Sequence, residues 1–223
     1  MLPPIRRTVS CYDTDRYRER QAISLAMARK PERPSARKRI FDTAADLFYR
    51  KGIRAVGVET IAAEADTTKM TLYRSFPSKD ELVAEWLRVH DVRFWQQWAA
   101  MAQRHPDDPR RQLNAAFALL AKHVADPAAR GCAMANAAVE ITEKDHPARK
   151  VIETHKAKLR ARLAELCVKS GASEPQLLAD QLFLLMEGAQ VATLVLGVQG
   201  PARNVERAAA SLIDSRLGKK TTN

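Results

Sequence analysis

Prolines and glycines cut residues 109–217 into stretches that each suit a single helix, and this punctuation limits the fold more than any other feature. The stretches run at about 109–125, 128–143, 147–170, 174–198 and 202–217, bounded by Pro109, Pro127, Pro147, Gly171, Pro175 and Gly200-Pro201. Each proline lies near the start of a stretch, where its missing N–H costs no intrahelical hydrogen bond. No alternating apolar pattern of strand length intervenes, and no internal repeat is present. Of the 223 residues 46% are hydrophobic and 6% aromatic, with Gly 8 and Cys 3. That balance fills a core, favours helices, and excludes disordered, collagen-like and disulfide-framework classes.

The N-terminal half follows the same logic. Residues 1–34 hold Pro3, Pro4, Pro31 and Pro34 with no sustained apolar period, and read as a basic arm with a short helix at about Arg16–Arg29. From Ser35 onward Ile40, Ala44, Leu47 and Phe48 mark one helical face, closed by Arg50, Lys51 and Gly52. A second helix spans about Val58–Ala65 with Ile61, Ala62 and Ala65 inward. A third begins after Thr67 or Thr68, buries Leu72 and Phe76, and stops at Pro77. Ser78 and Glu81 form a capping-box pattern for a fourth, carrying Leu82, Trp86, Val89 and Trp95.

Charge is unevenly spread. Residues 1–39 hold eleven Lys and Arg against four Asp and Glu, so the net +11 is concentrated in the arm. A basic arm beside a domain suits nucleic acid, or is simply solvated. Cys11, Cys132 and Cys167 show no metal-ligand spacing, so no metal or cofactor is expected, and a reducing cytoplasm suits them. No apolar leader opens the chain. Leu182–Val198 contains Glu187 and Gln190 and falls short of a membrane span, so no membrane partner is expected.

The segment with chemical meaning is residues 58–82. Two short helices joined by a tight turn, with small Ala62 and Ala65 at their crossing, describe a helix-turn-helix. The second helix of that motif enters the major groove with its N-terminal residues toward base edges. Those residues here are Thr67, Thr68, Lys69, Met70 and Thr71. Lysine donates to guanine, and threonine or methionine methyls suit the thymine methyl; Thr68 is equally a plain N-cap. Tyr73, one turn beyond Lys69, and Lys79, at a helix N-terminus, are placed for phosphate. So are Arg37, Lys38 and Arg39, unless they are a solvated charge run. Thr60 and Arg74 complete the candidate DNA-binding set.

Residues 36–82 resemble the DNA-binding domain of the TetR family of bacterial transcriptional regulators. The resemblance rests on Ile40, Ala44, Leu47, Phe48, Gly52, Ile61-Ala62 and Ala65, and above all on the unbroken run Thr71-Leu72-Tyr73-Arg74-Ser75-Phe76-Pro77-Ser78-Lys79-Asp80-Glu81-Leu82. Three positions depart from the family pattern. Gly57 replaces a hydroxyl cap, Asp66 stands where glycine is usual in the turn, and Met70 replaces a small residue.

The resemblance implies an all-α fold: a three-helix DNA-binding unit at 35–82 and a ligand-binding and dimerisation bundle at 83–218, with 1–34 as arm and 219–223 as tail. It implies a homodimer through about 174–198 and 202–217, with Leu178, Leu182, Leu185, Ala189, Ala192 and Leu196 as apolar face and Gly188 allowing close approach. It implies a palindromic double-stranded operator and a small-molecule inducer. The pocket candidates are Trp86, Trp95, Trp98, Phe117, Cys132, Met134, Asn136, Glu140, Phe183 and Met186. Each Met or aromatic is alternatively plain core, and the Cys132, Asn136 and Glu140 stripe alternatively structural. Two rival readings stay open: an architectural DNA-binding protein without a ligand, and an all-helical enzyme using Cys132, Glu140 and His146.

Overall fold

The computed structural model describes residues 33–217. The expected helix at Arg16–Arg29 and the tail at 219–223 lie outside the described residues. Among the described residues there are α-helices and one short 3-10 turn, with no strand. In chain order the helices are α1 (Ala36–Lys51), α2 (Val58–Glu64), α3 (Lys69–Ser75), α4 (Lys79–Ala102), α5 (Pro109–Val124), α6 (Ala133–Glu140), α7 (Pro147–Lys169), α8 (Pro175–Leu196) and α9 (Val205–Leu217). The 3-10 turn, Pro201–Asn204, leads into α9.

Local chemistry sets most of these boundaries. α1 stops at Gly52, whose φ of +90° turns the chain while its N–H returns to the Phe48 carbonyl. Ser78 caps α4 by accepting the Glu81 N–H at 3.0 Å, and Asp108 caps α5 by accepting that of Arg111 at 2.9 Å. Pro109, Pro147 and Pro175 each occupy the first turn of their helix.

The expected helix at 128–143 is shorter, Ala133–Glu140. Two features hold the preceding residues out of it. Asp126 accepts the Ala128 N–H through its side chain, and Gly131 takes a φ of +69°. Both are turn chemistry that competes with helix formation.

Two hydrophobic cores organise the fold. The first gathers Ile40, Leu47, Phe48, Ile61, Leu72 and Phe76 with the start of α4 (Leu82, Val83, Leu87), α6 (Met134, Ala137) and the start of α7 (Ala148, Ile152). The second joins Trp98, Phe117, Leu163, Leu182 and Ile213 from α4, α5, α7, α8 and α9. α4 and α7 therefore run through both.

α8 corrects the expected dimer face. Leu178, Leu182 and Ala189 are buried inside the second core, so that face is intramolecular. The apolar side chains left exposed on α8 are Leu177, Leu184, Val191, Leu194, Val195 and Leu196. Leu182–Val198 was expected to fall short of a membrane span; the whole helix, Pro175–Leu196, is long and apolar enough to cross one by length and composition alone, a test that the core helix of a soluble protein also passes.

Candidate functional site

The tight turn between α2 and α3 is made by residues whose backbones suit it. Asp66 adopts φ 49°, a left-handed conformation that Asp tolerates better than most side chains. The Thr67 N–H returns to the Ala62 carbonyl at 2.9 Å, and its hydroxyl reaches the same oxygen at 3.3 Å. Thr68 is the N-cap of α3: its hydroxyl oxygen accepts the Thr71 N–H at 3.2 Å and lies 3.0 Å from the Thr71 hydroxyl. Gly57 opens α2 without a side-chain cap.

The outward face of this motif carries Thr60, Thr68, Lys69, Met70, Tyr73 and Arg74, all exposed. Met70 at 66% exposure is a large apolar side chain held in solvent, a cost a thymine methyl would offset. Lys69 donates to the Glu59 carboxylate at 2.5 Å, joining α3 to α2. That hydrogen bond holds the Glu59 carboxyl below and the Lys69 ammonium above their ordinary values. Both groups are fully exposed, so salt screens the pair. Glu59 was missed in the sequence because no local pattern pairs residues ten apart across a turn.

The other cations expected along a duplex are engaged within the protein. Arg39 donates through Nε to the Ala65 carbonyl and through Nη2 to that of Asp66, both at 3.0 Å, and so ties α1 to the turn. Arg37 forms a two-pronged pair with Glu85 at 3.0 and 2.8 Å, its guanidinium 4.3 Å from the Phe76 ring centre. Lys79 turns inward and donates to the Ile53 carbonyl at 2.6 Å, where burial pushes its ammonium below the usual lysine value despite Asp80 and Glu140. Lys38 pairs with Asp42 one turn along α1, at 2.5 Å.

A cavity of about 530 Å³ lies deeper, walled by α1, α4, α5, α7 and α8. Four expected pocket residues line it: Trp86, Trp98, Cys132 and Met186. The other six do not. Phe117 and Met134 are fully buried in the second and first cores. Phe183 packs against the second core. Trp95 meets the Phe94 ring edge to face and donates its indole N–H to Asp91 at 2.8 Å. Asn136 donates to the Arg130 carbonyl at 2.6 Å, and Glu140 sits at the far end of α6.

Sequence reading missed His90, Arg93, Phe94 and Gln97, although with Trp86 and Trp98 they form one stripe of α4 at helical spacing. It also missed the α1 contribution of Ala45, Asp46 and Tyr49. His155 is buried and its Nδ1 meets the Asp91 carboxylate at 2.7 Å; burial nevertheless leaves its pKa below the ordinary value. Lys156 donates to both Glu187 oxygens at 2.6 and 2.7 Å and lies 3.4 Å from the Cys132 sulfur.

Residues 40–86 match the model of bacterial regulatory proteins of the tetR family. A TetR-family transcriptional regulator from Streptomyces coelicolor is 27% identical, with a TM-score of 0.77 over 82% of this chain and 96% of that one. A tetR-type transcriptional regulator from Streptomyces avermitilis is 29% identical, with a TM-score of 0.68 over 82% of this chain and 98% of that one. The chain belongs to the TetR family. A transcriptional regulator from Saccharomonospora viridis in complex with choline shares the fold at 21% identity and a TM-score of 0.68, over 80% of this chain and 95% of that one. No curated protein matches the chain significantly.

In this TetR-family regulator the DNA-reading helices and the cavity are joined by named contacts. Tyr49 of α1 lines the cavity; its hydroxyl accepts the Arg130 N–H at 2.8 Å and donates to the Gly131 carbonyl at 3.3 Å. Gly131 and Cys132 line the same cavity, and α6 follows them directly. At the other end of α6, Glu140 accepts the Arg54 backbone N–H at 2.8 Å, in the loop between α1 and α2. His146, ahead of α7, approaches Asp80 at 3.4 Å. Cys132, Glu140 and His146 are thus divided between the cavity and this junction, an arrangement that lends no support to a shared catalytic centre.

Proposed function

We propose that this regulator is a ligand-responsive repressor: a cytoplasmic, non-enzymatic homodimer that binds a palindromic operator and is released by a small molecule in the cavity. The observation that carries the reading is the composition of the cavity wall. It takes residues from α1 and α4, the two helices that also hold the helix-turn-helix through Arg39 and the shared first core. A ligand touching these walls acts on groups that position α3, so ligand and DNA compete for two arrangements of one packed interior. The choline held by the Saccharomonospora viridis regulator supports small-molecule binding in this fold.

Operator binding on this reading uses Lys69, Met70 and Thr71 toward base edges, with Thr60, Thr67, Thr68, Tyr73 and Arg74 alongside. Dimerisation uses α8 and α9, through the exposed stripe of Leu177, Leu184, Val191 and Val195 rather than the Leu178–Leu182 face. These lie at steps of seven, seven and four along α8, one helical face. A two-fold dimer sets its reading helices on half-sites separated by whole turns of DNA.

Binding of ligand and of operator must weaken each other by the same factor, because coupling is reciprocal. The test is a metabolite and drug screen by thermal shift, followed by operator titration with each hit. Compounds that raise the melting temperature and lower operator affinity are expected; stabilisers that all leave operator affinity unchanged contradict the proposal.

A further inference from the structure

The polar groups of the cavity wall divide into those already satisfied and those left over. Lys156 is matched by Glu187 at 2.6 Å, His155 by Asp91 at 2.7 Å, and Asp46 by Arg50 at 3.3 Å. Tyr49 is held by Arg130 and Gly131, and His123 Nε2 lies 3.3 Å from the Gly131 carbonyl. Among the described residues, three lining imidazole, guanidinium or amide side chains have no hydrogen-bond or ion-pair partner, His90, Arg93 and Gln97, and the buried indole N–H of Trp98 is also unpartnered. All three lie on α4, at steps of three and four, so they share one face.

Of the three, only Arg93 carries a charge near neutral pH; it and Gln97 are exposed, and the Asp91 carboxylate of the same helix is bonded to His155 and Trp95. His90 itself adds no charge. Burial, followed by His155, His123 and Arg93, pushes its pKa down to about 4, and Asp91 alone opposes them. The imidazole is therefore neutral near pH 7 and adds a donor and an acceptor but no charge. On the same helix Trp86, Phe94 and Trp98 supply aromatic surface, with Phe94 and Trp98 ring centres 6.0 Å apart, and Leu120, Leu159 and Met186 supply aliphatic surface.

We infer that the cavity takes a monoanionic aromatic acid, its carboxylate held by Arg93 with Gln97 beside it and its ring system against Trp86, Phe94 and Trp98. A planar guanidinium with free donors suits a carboxylate, which it engages through two parallel hydrogen bonds. An ammonium ligand would meet the same aromatic faces but would face an unpaired guanidinium of its own sign. A volume of about 530 Å³ is in the range of small-molecule sites and leaves room for a two- or three-ring body. This inference rests on the ligand-responsive reading above and narrows it to one class.

Isothermal titration of the full chain with three probes of one shape tests it: 2-naphthoate, 2-naphthamide and 2-naphthylmethylammonium. Naphthoate is expected to bind at least tenfold tighter than either of the others. Arg93→Gln is expected to bring the naphthoate-to-naphthamide affinity ratio to about one. Arg88→Gln, an exposed arginine of α4 paired with Glu81 and away from the cavity wall, is expected to leave that ratio unchanged. Circular dichroism of each variant checks that the helices are retained. Equal or tighter binding of the amide or the ammonium overturns the inference, as does a naphthoate preference that survives Arg93→Gln. No binding by any probe overturns the aromatic-acid class, while the ligand-responsive reading is decided separately by its operator-release assay.

Discussion

At the scale of single residues, the side chains proposed to face DNA and those holding the motif together are sorted by where their partners lie. Thr68 as a cap and Asp66 in a left-handed turn were legible, because both features are settled within three or four residues. Arg39, Arg37 and Lys79 read as duplex contacts, yet their partners lie 26, 48 and 26 residues away, beyond any local pattern. Lys69 keeps its outward position with Glu59 beside it. Lys69→Ala is expected to cost about 1–3 kcal/mol of specific binding and to relax sequence preference. Tyr73→Phe is expected to weaken all sequences similarly, as a phosphate contact does. Mobility shift against operator and scrambled duplex separates the two outcomes, and unchanged affinity in both variants would remove the assignment. His90 adds a pH signature. Its folded pKa of about 4 lies below the ordinary 6.5, so the unfolded chain takes up the proton first as pH falls. The stability tied to its neutral form is complete above pH 6.5 and is lost as pH drops toward 4, by up to about 3 kcal/mol at ~1.4 kcal/mol per pKa unit. Urea midpoints of the parent and His90→Gln across that window should converge at low pH; parallel curves would count against the assignment.

At the scale of helices, starts and stops were readable and faces were not. Pro109, Pro147 and Pro175 each opened a helix as placed, and Gly52 closed one, because these are effects on a single turn of backbone. The face of α8 required knowing what packs against it. Leu182 and Leu184 are chemically identical, yet Leu182 is buried in the second core while Leu184 is 68% exposed. The cavity had the same difficulty: Trp86 and Trp98 flanked the right stripe of α4, but only the docking of α1, α5, α7 and α8 decides that a space remains there. The difference between the two leucines gives a prediction. Leu182→Ala should cost about 2–5 kcal/mol of stability through lost burial and the residual cavity. Leu184→Glu should shift the subunit equilibrium toward monomer without a comparable loss of helix content. Sedimentation velocity with circular dichroism reads both effects. A stable dimer in Leu184→Glu would place the interface elsewhere.

At the scale of the molecule, the proposed switch rests on the two cores. α1–α3 do not fold against themselves alone; their interior continues into α6 and the start of α7, and α4 carries it on toward the cavity. A tightly packed interior shared in this way shifts between discrete arrangements rather than deforming by degrees. Paired reading of duplex DNA is the claim on which the rest stands. Its most direct measurement is analytical ultracentrifugation of the full chain with an inverted-repeat duplex recovered by selection of bound genomic fragments, at low and at physiological ionic strength. The expected result is an even number of chains per duplex, with affinity falling steeply as salt rises. Failure to bind any double-stranded fragment at low ionic strength, or a complex containing a single chain, would contradict it.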